Sequence, residues 1–182
     1  EALVSLALAN SSEPRVQVAI KSSAIPHAAT MLKLLFEAKA KAPANLVSDL
    51  VRYAILDDNL GSLARVLNET AAEKDLARQF TLMSGFVDAI EQRKESLDQF
   101  QKRLAHTSKV GTQAIETVFS NVRATAQDDD AEGDTRVSAI KLLGRGPTKQ
   151  QEDIGLLSKL LAADKLPFIR KAALSALPKL RH

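Results

Sequence analysis

The sequence predicts an all-α chain, about eight to ten helices stacked as an α-α superhelix. Three observations carry that prediction. Apolar residues recur at three- and four-residue spacing along most of the chain, with no sustained alternation of the kind a strand needs. The apolar content leans on Leu and Ala, which lose least on entering a helix, and aromatics are only 4%, which disfavours strands. The few breakers, 7 Gly and 6 Pro, fall mostly between the apolar runs.

Residues 1–9 carry Leu3, Val4, Leu6 and Leu8, a short apolar helix. The stretch 10–13 is a turn offering a capping hydroxyl, and Pro14 suits the first turn of a helix. That second helix covers about 14–24, with Val16, Ala19, Ile20 and Ala24 on one side. Pro26 opens a third, in which Ala28, Met31, Leu32, Leu35 and Phe36 keep helical spacing. Residues 39–43 punctuate the chain, and Leu46, Val47, Leu50, Val51, Ala54 and Ile55 then form the clearest amphipathic stripe of the first half, ended by Asp57, Asp58 and Asn59. Two more helices are expected over 60–69 and 73–91, the latter carrying Leu76, Phe80, Met83, Phe86, Val87 and Ile90. The segment 95–127 is more polar, yet Leu97, Phe100, Leu104, Ile115, Val118, Phe119 and Val122 hold the period, with a break near 108–111. An acidic loop over 128–134 leads to a helix over 135–144, capped by Asp134 or Thr135 and stopped by Gly144-Arg145-Gly146-Pro147. Thr148 with Gln151 three residues on fits a capping box. It starts a helix over about 149–162, and the last helix covers about 167–180.

The chain repeats itself. Leu3-Val4-Ser5-Leu6-Ala7-Leu8-Ala9 matches Leu156-Leu157-Ser158-Lys159-Leu160-Leu161-Ala162, and four residues later each reaches a Pro, Pro14 and Pro167. The offset is 153 throughout (156 − 3 and 167 − 14). One unit is a Leu-rich helix, a short turn and a Pro-opened, Ala-rich helix. A third copy of the second helix lies at 136–143, where Arg136, Ala139 and Leu143 correspond to Arg170, Ala173 and Leu177 at an offset of 34 (170 − 136). That is the length of a helical-hairpin repeat. The Ala and Leu share one face, the Ala allowing close helix approach and the Leu filling the layer between. A single hairpin leaves its second apolar face uncovered, so such units stack.

This pattern resembles HEAT repeats, which form a HEAT-like solenoid. The stretch Asp134 to Gly144, then Leu156 to Leu161, then Pro167 to Leu177 resembles the HEAT region of large multidomain proteins of planctomycete-type bacteria. In that family a dehydrogenase-like propeller precedes the repeats and a haem-binding cytochrome c module follows them. The resemblance covers 134–180 and 1–24 best, and 25–130 only loosely, so an irregular, more bundle-like middle is expected. It implies an exported parent in which this segment is a spacer or docking element. The chain has no Cys-x-x-Cys-His, so a haem site would lie elsewhere in such a parent. The sequence opens inside a helical pattern without an initiating Met, and reads as one HEAT-like domain over 1–182 of a longer protein.

No residue pattern carries catalytic chemistry. Absence of Cys excludes disulfides, thiolate metal sites and Cys nucleophiles. No apolar run reaches the roughly 18–20 residues that span a bilayer. The three histidines, His27, His106 and His182, show no metal-ligand spacing. The acidic run 128–134 lacks the alternating ligands of a calcium loop and reads as a solvated linker. Gly144-Arg145-Gly146-Pro147-Thr148-Lys149 looks like a phosphate loop but lacks its order and follows a helix rather than a strand. No Ser sits in Gly-x-Ser-x-Gly. No catalytic residue, cofactor or metal is therefore expected.

The remaining candidate is a basic ridge. Equivalent positions of stacked repeats line one surface, which nominates Arg136 and Arg170, with the nearby basic residues Lys141, Arg145 and Lys171 on the same ridge. Net charge is only +3 and the pI about 9.2, so pairing with the 22 carboxylates competes with that role. The expected function is a non-catalytic scaffold or spacer contacting a protein partner or neighbouring domains. A nucleic-acid-binding solenoid, of the type found in HEAT-like DNA glycosylases, is the alternative; the lack of Trp and the modest charge weigh against it.

Overall fold

The computed structural model describes residues 2–9, 14–37, 44–56, 58–162 and 165–180. Among them there are eleven α-helices and no strand. The helices are α1 (Ala2–Ala9), α2 (Pro14–Ala24), α3 (Ala28–Glu37), α4 (Ala44–Leu56), α5 (Leu60–Ala72) and α6 (Leu76–Gln92), followed by α7 (Leu97–Ala105), α8 (Lys109–Gln127), α9 (Gly133–Leu142), α10 (Gln150–Leu160) and α11 (Pro167–Ala176). Short 3-10 turns at Ile25–His27 and Leu177–Lys179 complete the described secondary structure. The turn at 10–13, the punctuation at 39–43, Asp57 and His182 lie outside the described residues, as do the side chains of Val16 and Phe36.

The stripes expected from the sequence become the core. In α4, Leu46, Val47, Leu50, Val51, Ala54 and Ile55 are all buried, and in α3 Ala28, Met31, Leu32 and Leu35 are too. The stripe of α2 is narrower than expected. Ile20 and Ala24 are buried, but Ala19 is exposed, one residue and so about 100° around the helix from Ile20. Leu76, expected on the core face of α6, also reaches solvent, because α6 begins at that residue.

Helix ends follow local chemistry where a cap is free to form. Asn59 caps α5 and Asp75 caps α6, accepting from the Ser62 and Arg78 N–H groups at 3.1 and 3.3 Å. The break expected near 108–111 falls at 106–108, where Ser108 caps α8 by accepting from Gly111 N–H at 3.1 Å. Ser96 and Gln99 form a reciprocal capping box on α7. Two caps read from the sequence do not form. Glu132, not Asp134 or Thr135, occupies the N-cap of α9, and Asp134 sits inside the first turn. The box expected at Thr148 and Gln151 is absent, because α10 starts from Lys149 in a left-handed conformation at φ 63°.

Helices pack in a regular order. Hairpin partners α1–α2, α3–α4, α5–α6, α8–α9 and α10–α11 touch one another. One helix of each hairpin also packs on its counterpart in the next, giving the rows α1–α3–α5–α8 and α2–α4–α6–α9–α11. Each hairpin thereby covers the face its predecessor leaves open. The middle is irregular in one respect: α7 is an extra short helix wedged between α6 and α8. Phe100 of α7 meets Phe86 of α6 edge to face, with ring centroids 5.3 Å apart and planes at 77°. That is the geometry aromatic quadrupoles favour.

Candidate functional site

The row α4–α6–α9–α11 ends in two helices whose positions, 34 residues apart, stand side by side. Helices α9 and α11 begin and end 34 residues apart (167 − 133 and 176 − 142), the offset seen in the sequence. A groove runs between them, lined by Asp134, Val137 and Lys141 from α9 and by Phe168, Lys171, Ala172 and Ser175 from α11. Three of these pairs, 134 with 168, 137 with 171 and 141 with 175, keep the offset of 34 (168 − 134, 171 − 137 and 175 − 141). A second groove continues onto α6 and α4, lined by Ser48, Thr81, Ser84, Gly85, Asp88, Ser138 and Lys141 among others. Lys141 stands where the two meet. At the α4–α6 end the helices approach closely, since a Cβ added to Gly85 would lie 2.5 Å from Ser48 Oγ.

The five nominated basic residues have different fates. Arg136 is only 5% exposed. Its Nη2 donates to Asp129 at 2.6 Å and its Nε to the Ala126 carbonyl at 3.2 Å. Arg145 is 3% exposed and bridges to α6, donating to Asp88 at 2.5 Å and to Glu91 at 2.9 and 3.2 Å. Lys179 adds a second cation, 3.6 Å from Asp88. Arg170 is half-buried in α11. Lys141 and Lys171 are exposed and share the α9–α11 groove. Arg136 and Arg145 are thus covered and paired with carboxylates that themselves reach solvent, and the exposed charge of the set is carried mainly by two lysines.

The acidic run between α8 and α9 is partly consumed in the same way. Hydrogen bonds from Arg136 and then Lys165 hold the Asp129 carboxyl below its ordinary pKa. Asp128 accepts from the Asp130 N–H at 3.0 Å, and Thr135 donates to Glu132 at 3.0 Å. Among the described residues no group of three or more His, Asp or Glu is placed to hold a metal ion. His27 and His106 are exposed. No described helix is long and apolar enough to cross a membrane.

The phosphate-loop lookalike at 144–149 is a structural knot. Asp153, fully buried, accepts from Arg123 Nε at 2.6 Å and from the Gly144 N–H at 2.9 Å. Arg123 also donates to the Thr148 carbonyl at 2.9 Å and the Phe119 carbonyl at 3.3 Å. Gly144 has φ 77°, and a Cβ there would run into Leu180. Its backbone N–H is therefore turned inward onto Asp153 rather than outward toward an anion. Sequence reasoning passed over Arg123 and Asp153, which lie 30 residues apart (153 − 123) with nothing local to link them.

Two further polar clusters fix the scaffold. Gln79 is fully buried and donates to the carbonyls of Thr70, Ala71 and Glu73 at 3.0 to 3.2 Å, closing the C-terminus of α5. Its oxygen accepts from Asn121 at 2.9 Å. Asp58, in the turn before α5, accepts from Arg103 of α7 at 2.9 and 3.0 Å and from Arg93 at 3.2 Å. The hydrogen bond from Arg103 chiefly holds the Asp58 carboxyl below its ordinary pKa. Arg103 also pairs with Glu95 through two bonds, at 2.8 and 3.0 Å, and lies over the Phe100 ring. The face along α4, α6, α9 and α11 is thus carried on a frame cross-linked by polar contacts between helices. No model of a known protein family matches the chain, and no curated protein or solved structure matches it either.

Proposed function

We propose that this chain is a non-catalytic helical-repeat scaffold, HEAT-like in kind, that mediates protein–protein or interdomain contacts through the face of α4, α6, α9 and α11. The observation that carries the reading is the register of that row. The second helices of successive hairpins pack side by side, with α9 and α11 in matched register, so their outward residues form one surface spanning several hairpins. Small polar residues, Ser48, Thr81, Ser84, Ser138 and Ser175, dominate much of it, which leaves room for a partner's backbone. The non-catalytic part rests on the sequence, which carries none of the nucleophile or phosphate-loop motifs. The spacer role within a larger multidomain parent of planctomycete type rests on the sequence resemblance over 134–180. The nucleic-acid alternative has less support, because Arg136 and Arg145 are neutralised by carboxylates.

Co-purification tests the reading. The native chain and variants carrying Ser138→Arg on the face, or Glu116→Arg on the exposed side of α8, are compared from the source cell. The scaffold reading expects a stoichiometric partner, or a neighbouring domain, that is lost with Ser138→Arg and kept with Glu116→Arg. Turnover by the isolated chain, or a partner indifferent to Ser138→Arg, would count against it.

A further inference from the structure

The α9–α11 groove combines features that together define a ligand chemistry. Its floor is apolar, with Val137, Ala172 and Phe168, a residue 46% exposed. Two exposed lysines, Lys141 and Lys171, flank it, and among the described residues neither has an ion-pair partner. Its charges are also ordered along the helices. Asp134 and Phe168 stand together near the N-terminal ends of α9 and α11, while Lys171 and then Lys141 follow toward the C-terminal ends. The large apolar side chain, Phe168, is therefore set toward one end of the groove and Lys141 toward the other, with Val137 and Lys171 level with each other between them.

We infer that this groove binds a short acidic segment of a protein partner, with an apolar side chain set against Phe168 and Val137 followed by carboxylates on Lys171 and Lys141. The inference rests on the scaffold reading and specifies the partner that this part of the face takes. The spacing can be worked out. Lys141 lies one turn beyond the position equivalent to Lys171, about 6 Å along the axis, and adjacent helices sit about 8–10 Å apart. The lysine backbones are then about 11 Å apart, within side-chain reach of two carboxylates three residues apart, about 9 Å, on a polyproline-II-like segment whose three-residue turn sets both on one side. Charge complementarity of this kind selects partner and register more than it adds affinity. A nucleic-acid backbone fits less well, since it offers no apolar anchor for Phe168 and would bring phosphates past Asp134.

The test is a backbone-amide NMR titration of the whole chain. The probe is a short peptide with one Leu followed by two Glu three residues apart. Companion peptides replace the Glu residues by Lys, or the Leu by Ser, and a short DNA duplex is titrated at low salt. The expected result is a set of shifts confined to residues around Val137, Lys141, Phe168 and Lys171 with the acidic peptide, weakened at least tenfold by Lys141→Glu with Lys171→Glu. Lys109→Glu, on the exposed start of α8, leaves the binding unchanged. Far-UV circular dichroism and melting establish that the variants remain folded. The inference is overturned if the acidic peptide produces no localised shifts at millimolar concentration, if the Lys peptide binds as well, if the lysine variants bind undiminished, or if the duplex takes the groove in preference. Failure of the peptide series while a partner is still lost with Ser138→Arg removes the acidic segment and leaves the scaffold standing; failure of both removes both.

Discussion

Replacing Asp153 by Asn keeps the shape of the side chain and removes its charge. Asp153 is completely buried and receives Arg123 Nε at 2.6 Å, Arg123 Nη2 at 3.3 Å and the Gly144 N–H at 2.9 Å. In the Asn variant one of those acceptors becomes a donor facing a donor. The Arg123 guanidinium, itself 6% exposed, loses its counter-charge. Removing one partner of a buried ion pair costs about 3–5 kcal/mol. That is a large share of the roughly 5–15 kcal/mol that holds a typical domain folded. Arg123→Met should cost a similar amount, leaving Asp153 buried and unpaired. The double variant Arg123→Met with Asp153→Leu removes both charges, though the Gly144 N–H and Thr148 carbonyl lose partners at about 1–3 kcal/mol each. Its cost should therefore fall short of the summed single costs, by the roughly 0.5–3 kcal/mol that contacting residues show. Urea unfolding followed by circular dichroism measures all four proteins. A cost below about 1 kcal/mol for Asp153→Asn, or strictly additive single costs, would refute the reasoning, since neither is compatible with a buried pair.

Gly144→Ala should lower the melting temperature by several degrees, because a left-handed backbone costs an L-residue about 1–2 kcal/mol and its Cβ displaces Leu180; an unchanged melting temperature in calorimetry would remove that contact from the account. Asp58→Asn should reduce stability at neutral pH but not in acid. The folded Asp58 carboxyl titrates below its unfolded value, so its contribution is complete above about pH 4 and is lost as pH falls through the folded value. Asn tolerates the positive φ of 53° at this position, so the urea midpoints of the two proteins should separate above about pH 5 and converge in acid; a constant gap would assign the effect to shape rather than charge.

The parts of the fold that could be read from the sequence are those fixed by near neighbours. The stripe from Leu46 to Ile55 becomes core because its spacing alone decides which side of α4 is apolar. The match of 136–143 to 170–177 becomes the side-by-side packing of α9 and α11, because equal sequence implies equal faces. What could not be read depends on distant partners. Arg145 reads as an exposed cation until Asp88 and Glu91, 57 and 54 residues earlier, are placed against it. The two capping boxes show the same divide. Ser96 with Gln99 and Thr148 with Gln151 have equivalent patterns, but only the first forms. At the second, Arg123 holds the Thr148 carbonyl and Lys149 takes the cap position, so tertiary contacts override the local signal. The candidate face falls between these cases. Repeat logic pointed to Arg136 and Arg170 as equivalent positions of a ridge that also took in Lys141 and Lys171, and only the packing shows that the two lysines share one groove while the covered Arg136 pairs with Asp129.

If the α4–α6–α9–α11 face is where this chain meets another protein surface, a residue on that face lies within crosslinking reach of the partner. Photo-crosslinking from single positions tests it most directly. A photoreactive residue replaces Ser138 on the face or, in a separate variant, Glu116 on the exposed side of α8. The proteins are irradiated in the source cell and the adducts are separated and mapped. One discrete protein adduct, or one discrete contact with a neighbouring domain, is expected from position 138 and none from 116. Equal labelling from both positions, or adducts from 116 alone, would contradict it.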